Sequence, residues 1–391
     1  MKILVLGACG IQGRAAVYDL ARNPEVTQVI CADARIDNLG PIADLIDPSK
    51  LNFHTIDAND INSIAAVMAL ADVAVDLLPF QFLNTVCQAA LQTATSVVNT
   101  NYGKTLQGFD QAAKDAGIII MPECGMDPGI DLVLFGGALR RFDRLEVLNS
   151  YAGGVPDPKA IDNPLKYKIS WNWDMVLTST KRPSRMIHNQ QVVDIAPQHQ
   201  HDEQFISHID FPGLGPMEGI PNGDAIVFTD ILGVTDTIIE TGRYALRWPG
   251  WSAFWRPLKA LNFLSDDPVP GLPGNITPHQ FMSKHLEPQL HYGDKEKDLV
   301  AMYNIFEGII DGKRKRLTNR LIIERDLHSD LLGMSQGVGY PAAIAATMIA
   351  RGDINSSGIL SPVTDIPYEH FMAELAERGI KVEDTEVFIE P

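Results

Sequence analysis

The sequence predicts an α/β protein: a doubly wound parallel sheet, then a second domain of different rhythm, then a return of the chain to the first. Three observations carry this. The chain opens MKILVLGACGIQG, an apolar strand breaking into a glycine-rich turn. Short apolar runs alternate with helical patterns to about residue 125, the rhythm of a parallel sheet with crossover helices. From about 130 to 335 proline, glycine and tryptophan become frequent, and all five tryptophans (Trp171, Trp173, Trp248, Trp251, Trp255) fall there.

The elements follow in order. KILVLG, QVICAD, LNFHTID, VAVDLLP, SVVNTN and GIIIMPE read as strands, with helices such as GRAAVYDLARN and TLQGFDQAAKDAG between them. In the first turn Gly7 permits the tight bend, Gly10 lets backbone approach a pyrophosphate, and Gly13 lets helix pack on strand. Ile11 and Gln12 open that helix, whose free N–H groups and positive dipole end suit phosphates. The spacing is GxxGxxG, and Asp33 ends the second strand, where a carboxylate can bond both hydroxyls of an adenosine ribose. That acid repels a 2′-phosphate and favours NAD, although Arg35 partly offsets it and leaves NADP open. The strand ends also place Leu78, Pro79, Asn99, Asn101, Tyr102 and Glu123–Gly125 on the nicotinamide side.

In the second region SDDPVPGLPGN (265–275) reads as a loop, and IFEGIIDGKRKRLTNRLIIERD as a hairpin turning at Asp311-Gly312, with KRKR (313–316) a solvated turn. QGVGYPAAIAATMIAR (336–351) is a small-residue apolar helix expected to cover the first domain's sheet. The expected division is 1–130, 131–335 and 336–391.

Composition excludes several classes. The 391 residues carry a net charge of −17, which argues against nucleic acid and anionic membrane surfaces. No apolar run reaches the ~18 residues of a membrane span, and no signal peptide precedes the first strand. Cys9, Cys31, Cys87 and Cys124 form no CxxC or zinc spacing and read as reduced thiols in a cytoplasmic protein. His199, His201 and His208 lie in a polar stretch read as a solvated loop, with no metal.

The segments ECGMDPGIDLVLFGGAL and SYAGGVPDPKAIDNPLKYKISWNWDMVL, followed by FPGLGPMEGIPNGDA, RYALRWPGWSAFWRPLKAL and GVGYPAAIAATMIARGDINSSGILSP, resemble the saccharopine dehydrogenase (saccharopine reductase) family in content and order. VAVDLLPFQFLNTVCQAALQTATSVVNTN is also similar to lysine 6-dehydrogenases. The resemblance implies a Rossmann domain plus a mixed α/β substrate and dimerisation domain, a homodimer, and nicotinamide-dependent oxidoreduction at an amine carbon of an amino-acid or opine substrate. Asp127 matches the family's DPG aspartate, and Arg247 its carboxylate-gripping arginine. The family's YCGG cysteine is Ala152 here, its RYxGY motif is RWPGW, and its PNRDS arginine is Gly223.

Beside that resemblance, the residues suggest roles of their own. Asp127, before Pro128 in a first helical turn, can orient an amine or cap a helix. Lys168 is a candidate base if desolvated, or a carboxylate ligand. Arg247 and Tyr102 are candidate substrate ligands, and Ser170 and Trp171 line the strand that bears Lys168. Lys168, Arg182 and Arg185 are candidates for further carboxylates. The alternatives are a lysine 6-dehydrogenase or another ω-amino-acid dehydrogenase, and a non-catalytic NAD-binding sensor.

Overall fold

The computed structural model describes all residues except 37, 38, 272, 390 and 391, and divides into two compact units: 1–137 with 325–381, and 138–324 with 382–391. The first crossing therefore lies at 137 rather than 130 and the return at 325 rather than 336. The last residues leave again for the second unit.

The first unit opens β1 (Lys2–Leu6), α1 (Ile11–Arg22), β2 (Gln28–Asp33), β3 (Leu51–Thr55), α2 (Ile61–Met68), β4 (Val73–Asp76), α3 (Leu83–Thr93), β5 (Ser96–Asn99), α4 (Asp110–Ala116), β6 (Ile119–Met121) and α5 (Ile130–Leu139). All six predicted strands are present. They form because runs such as Ile3–Leu6 and Val73–Val75, with at most 1% exposure, have apolar neighbours on both faces of a parallel sheet.

The second unit runs β7 (Arg144–Pro156), α6 (Trp173–Ser179), β8 (Ser184–His188), β9 (Gln191–Ile195), β10 (Ser207–Phe211), β11 (Gly215–Pro221), α7 (Ile226–Ile231), β12 (Glu240–Arg247), α8 (Trp251–Ala260), α9 (Pro278–Leu286), β13 (Asp298–Ile310) and β14 (Lys313–Glu324). The chain then returns through α10 (Gly333–Arg351), β15 (Gly358–Ile359) and α11 (Tyr368–Glu377), and ends in β16 (Glu383–Phe388).

The first sheet has the order β15-β6-β5-β4-β1-β2-β3, parallel throughout, so the strand order reverses between β1 and β4. A ligand crevice opens at the carboxyl ends of the strands at such a switch point. The predicted apolar helix is α10, buried along most of its length. Its Gly339 lies so close to α1 that a Cβ there would stand 2.7 Å from Ala15 Cβ and from Ala16 N. Helix α10 thus holds α1 directly behind the glycine turn.

The second sheet is mixed, in the order β10-β11-β12-β7-β13-β14-β16 with the β8–β9 hairpin on β12; β7 and β12 are parallel. Tyr151 and Tyr244, register partners on β7 and β12, stack with ring centroids 4.7 Å apart. The hairpin turns at Asp311 (φ 52°) and Gly312 (φ 69°) as predicted, two left-handed residues matching the twist of the strands. KRKR is not a solvated turn but the start of β14: Arg314 pairs with Glu146, Lys315 with Glu386 and Arg316 with Glu307. Residues 382–389 do not join the first unit as expected. The outer edge of β14 carries Lys315, Asn319 and Arg320, and β16 covers it with Glu386, Asp384 and Glu383. The charge match explains the choice of edge, and the pairing removes an open strand. The 265–275 segment is a loop with a short 3₁₀ turn at 273–275; Leu272 lies outside the described residues.

Candidate active site

In the first unit the glycine turn behaves as its spacing implies. Gly7 has φ 78°, and its N–H donates to the Ala32 carbonyl at 2.8 Å. Gly10 precedes α1 without a side-chain cap, which leaves the first-turn N–H groups of Ile11, Gln12 and Gly13 outside the intrahelical ladder. A Cβ on Gly13 would stand 1.9 Å from the Gly7 carbonyl oxygen, so only glycine permits this approach. Asp33 turns toward the loop: its Oδ2 accepts the Cys9 N–H at 3.0 Å. Leu77 and Leu78 back onto Gly7, whose notional Cβ lies 2.9 Å from the Leu77 carbonyl oxygen. Pro79 follows as the entry to the turn before α3.

Asn99 is fully buried at the end of β5. Its Oδ1 accepts the Asn101 N–H at 2.9 Å, and its Nδ2 has no partner. The Gln12 Oε1 is likewise buried and unpartnered. Anion-receptive amides, a cradle a Cβ would fill, an acid against the loop and an orphan amide donor together fit a dinucleotide.

Asp76 was missed by the sequence reading because it lies inside the apolar run VAVDLLP. It is register partner to both Leu6 and Asn99, it is 1% exposed, and its Oδ1 accepts the Leu78 N–H at 3.0 Å. Burial pushes its carboxyl up to about 7, only partly countered by that hydrogen bond.

The chain after β6 forms a closed loop: Gly125 N–H donates to the Pro128 carbonyl at 2.9 Å, and Ile130 N–H to the Gly125 carbonyl at 3.0 Å. Asp127 sits half-buried on this loop. Pro128 is not in the first helical turn as expected, because α5 starts at Ile130. Asp131, unremarked in the sequence, accepts the Gly129 N–H at 2.7 Å, and burial raises its carboxyl to about 7. Glu123 holds a left-handed backbone (φ 63°), and its Oε1 accepts the Gly103 N–H at 3.1 Å. Non-glycine residues adopt this conformation at a cost, and such residues gather at functional sites. Tyr102 is 37% exposed at the start of the short helix after β5.

In the second unit Arg247 ends β12. It is 6% exposed, and its guanidinium carbon lies 4.9 Å from the ring centroid of Trp251 and 5.3 Å from that of Tyr167. Its Nη1 donates to the Leu246 carbonyl at 2.7 Å, its Nε has no partner, and among the described residues no carboxylate pairs with it. Burial lowers its pKa. A buried cation left unpaired is costly, and the arrangement suits an incoming carboxylate. Ser170 is fully buried with an unpartnered Oγ, and Trp171 packs half-buried against the same aromatic cluster.

Lys168 does not fit its expected role as a base. Its Nζ donates to Asp162 Oδ2 and Glu296 Oε2, each at 2.7 Å. Burial alone would lower its pKa, but the two carboxylates overcome this and raise it. The same pairing removes it as a substrate-carboxylate ligand, and Arg185 is likewise held by Asp194 and Asp224. The Arg182 side chain donates to Asn222 Oδ1, at 3.4 Å, and among the described residues no carboxylate pairs with it.

The histidine stretch divides. His199 pairs with Asp202 and His208 with Glu203 at the surface, but His201 is 1% exposed rather than solvated. Among the described residues no cluster of three metal-ligating side chains forms, and no helix is long and apolar enough to cross a membrane.

Residues 3–121 match the family described as the saccharopine dehydrogenase NADP binding domain, and residues 125–380 the saccharopine dehydrogenase C-terminal domain. The mitochondrial alpha-aminoadipic semialdehyde synthase of Bos taurus is 25% identical over 97% of this chain, which spans about half (47%) of that protein's length. The saccharopine dehydrogenase (NADP(+), L-glutamate-forming) of Saccharomyces cerevisiae is 25% identical over 99% of each chain. The apo structure of the yeast L-Glu-forming enzyme is similar to this fold at a TM-score of 0.86, with 23% identity and 99% coverage of both chains. With both of its family domains matched in order, the chain belongs to the saccharopine dehydrogenase family.

Proposed function

We propose that the chain is a nicotinamide-dependent oxidoreductase acting on the C–N bond of an amino-acid or opine substrate, saccharopine or a related lysine derivative. The observation that carries this is Arg247: a buried guanidinium with no carboxylate of its own, in a chain that also bears a dinucleotide turn. The bound nicotinamide supplies the hydride acceptor, and the protein supplies position and charge. Gly7, Gly10 and Gly13, with the first amides of α1, hold the pyrophosphate, and Asp33 takes the adenosine ribose. Asn99 Nδ2, Leu78 and Pro79 orient the nicotinamide end. Arg247 takes a substrate carboxylate through its fork of N–H groups, with Ser170 Oγ and Trp171 beside it. The Asp127 carboxylate orients the amine and, as an anion, stabilises the developing iminium; Tyr102 is a second polar contact at that edge.

Asp33 supports NAD over NADP in this chain, against the NADP in the names of its relatives. Four free thiols suit a reducing compartment such as the cytoplasm, and the working unit on this reading is a homodimer. The test is reduced-cofactor formation with saccharopine and L-lysine in parallel, each with NAD and NADP, together with light scattering for mass. Turnover of saccharopine with NAD supports the reading. Turnover of lysine alone replaces it with a lysine 6-dehydrogenase, and tight NADH binding without any amine turnover replaces it with a sensor.

A further inference from the structure

Helices α1, α10 and α11, all in the first unit, form the walls of a cleft of about 390 Å³. That is within the range of small-molecule sites, roughly 300–1,000 Å³. α1 starts at the glycine turn, and its last turn carries Asp19 and Arg22 into the cleft. From Ile11 to Asp19 the helix rises about 12 Å. The cleft therefore lies at the end of α1 away from the phosphate-binding amides, and it is separate from the crevice at the strand carboxyl ends.

The Asp19 side chain is 9% exposed, and only one of its two oxygens is used. Oδ1 accepts from Arg378 Nε, whereas Oδ2 is buried and has no partner. Burial raises this carboxyl above its ordinary range, in spite of Arg378. Arg378 is shared: its Nη1 donates to Glu374 Oε2 at 2.7 Å and to the Glu374 carbonyl at 2.8 Å. Glu374 Oε1 in turn accepts from Arg351 at 2.7 Å, and Arg351 also holds Glu25. Arg22 lies three residues on from Asp19, where an Asp–Arg pair on a helix ordinarily closes on itself. Here the pair is held open. The Arg22 guanidinium stands over the Tyr18 ring, 4.8 Å from its centroid, and its Nη1 donates to Tyr18 Oη at 3.0 Å. Among the described residues no carboxylate pairs with Arg22. An unmet carboxylate oxygen and an unmet guanidinium thus line one cleft, one helical turn apart.

We propose that this cleft is a second ligand site, and that its ligand is a free α-amino acid: the ammonium on Asp19 Oδ2, the carboxylate on Arg22. In an α-amino acid a single carbon separates the two charges, so both reach side chains one turn apart. A simple amine leaves Arg22 unmet, and a simple carboxylate meets the charge of Asp19. Arg22 can keep its stack on Tyr18 while its remaining N–H groups turn to the ligand. Glu25 and Glu377 also line the cleft and disfavour an acidic side chain on the ligand. The site goes beyond the substrate reading above: it uses neither Arg247 nor Asp127, and its ligand is not the molecule oxidised.

The test uses the full chain. L-alanine, L-norvaline and L-glutamine are titrated by calorimetry against ethylamine and propionate, each of which lacks one of the two charges. NMR on ¹⁵N-arginine follows the Arg22 guanidinium in the same samples. The titrations are repeated on Arg247→Met, which removes the proposed substrate arginine, and with saturating NADH. At least one amino acid is expected to bind roughly ten-fold or more tighter than either single-charge ligand, to move the Arg22 signal, and to keep its affinity in both repeats. Asp19→Asn, which keeps the shape and removes the charge, is expected to lose roughly ten-fold or more of that affinity. Arg22→Gln is expected to bring the amino acid down to the level of ethylamine. Amino acids that bind no tighter than the single-charge ligands overturn the proposal. So does binding that disappears in Arg247→Met or with NADH, or that Arg22→Gln leaves unmoved. Arg22 is exposed, so its substitution decides the matter even if Asp19→Asn fails to fold. No amine turnover enters the test. Failure at the cleft leaves the oxidoreductase reading standing, and amino-acid binding in a chain that oxidises no amine upholds the cleft while that reading falls.

Discussion

Replacing Arg247 by methionine separates a binding arginine from a structural one, because the two roles predict opposite signs for stability. Burying a guanidinium costs several kcal/mol after relaxation. Against this stand two aromatic contacts, at about 0.5–2 kcal/mol each, and one charged hydrogen bond to the Leu246 carbonyl, at about 1.5–3 kcal/mol. The sum is near zero or unfavourable, since no carboxylate returns the missing Coulomb energy. Methionine keeps an apolar stem among Tyr167 and Trp251 and removes the uncompensated charge. Arg247→Met is therefore expected to leave the denaturant midpoint unchanged, or to raise stability by up to about 2 kcal/mol. The same change removes a charge-assisted pair with the substrate, at about 3–4 kcal/mol, or roughly 10²–10³-fold in affinity. Arg247→Lys keeps the charge but loses the fork, so most of that loss persists. The assays are guanidinium denaturation and carboxylate binding by calorimetry, with NADH affinity as the control that should not move. A loss of more than about 1 kcal/mol in stability with carboxylate binding intact would falsify the assignment and make Arg247 a structural cation.

Three further outcomes are expected. Gly13→Ala pits helix propensity, which favours alanine by about 1 kcal/mol, against a Cβ placed 1.9 Å from the Gly7 carbonyl oxygen. The steric term wins, so thermal melts and NADH titration should show a loss of about 1–3 kcal/mol and weaker NADH binding; a stabilised variant that binds normally contradicts this. For Asp76→Asn the sign follows from the raised carboxyl. The folded chain keeps a proton between pH 4 and about 7 that the unfolded chain has released, so stability falls as pH rises through that window, by at most on the order of 4 kcal/mol. The asparagine variant should gain on the unsubstituted chain between pH 5 and pH 8 in denaturant midpoints, while Asp131 preserves its own share of the slope; parallel curves refute it. Lys168→Met should cost no more than about 1 kcal/mol, because Asp162 and Glu296 stay solvent-exposed and keep hydrogen bonds from Asn163 and Gly293, and should leave the pH dependence of turnover unchanged; a base would instead show a collapse of kcat.

What was legible in the sequence was what is local. Five of the six parallel strands are apolar runs because both their faces are covered, whereas β3, at the sheet edge, is half exposed; the glycine turn announces itself because its three constraints fall within seven residues. Asp311-Gly312 is legible for the same reason. Illegible were features settled by distant partners. Lys168 looks like a free strand lysine until Glu296, 128 residues on, closes on it. His201 sits in the polar stretch PQHQHDEQF, yet it is interior, with Lys259, 58 residues on, at its Nδ1. β16, in the sequence EDTEVF, has no apolar face. Its acids make sense only beside Lys315 and Arg320.

The distribution of unsatisfied groups ties these readings together. Folded proteins leave few buried donors unpaired, because each costs about 1–3 kcal/mol. Here buried groups without a partner include the donors Arg247 Nε and Trp255 Nε1 and the acceptor Gln200 Oε1 in the second unit, and the donor Asn99 Nδ2 and the acceptor Gln12 Oε1 in the first. Core packing alone would not select this pattern, since apolar residues at the same positions would be more stable. On the reading proposed above, Arg247 takes a carboxylate in the second unit, and Asn99 Nδ2 takes a carboxamide oxygen in the first. A ligand that pairs such groups stabilises the unit that binds it. Each ligand should raise the melting temperature of the unit that binds it, and a variant that removes one orphan donor should lose that ligand's share alone.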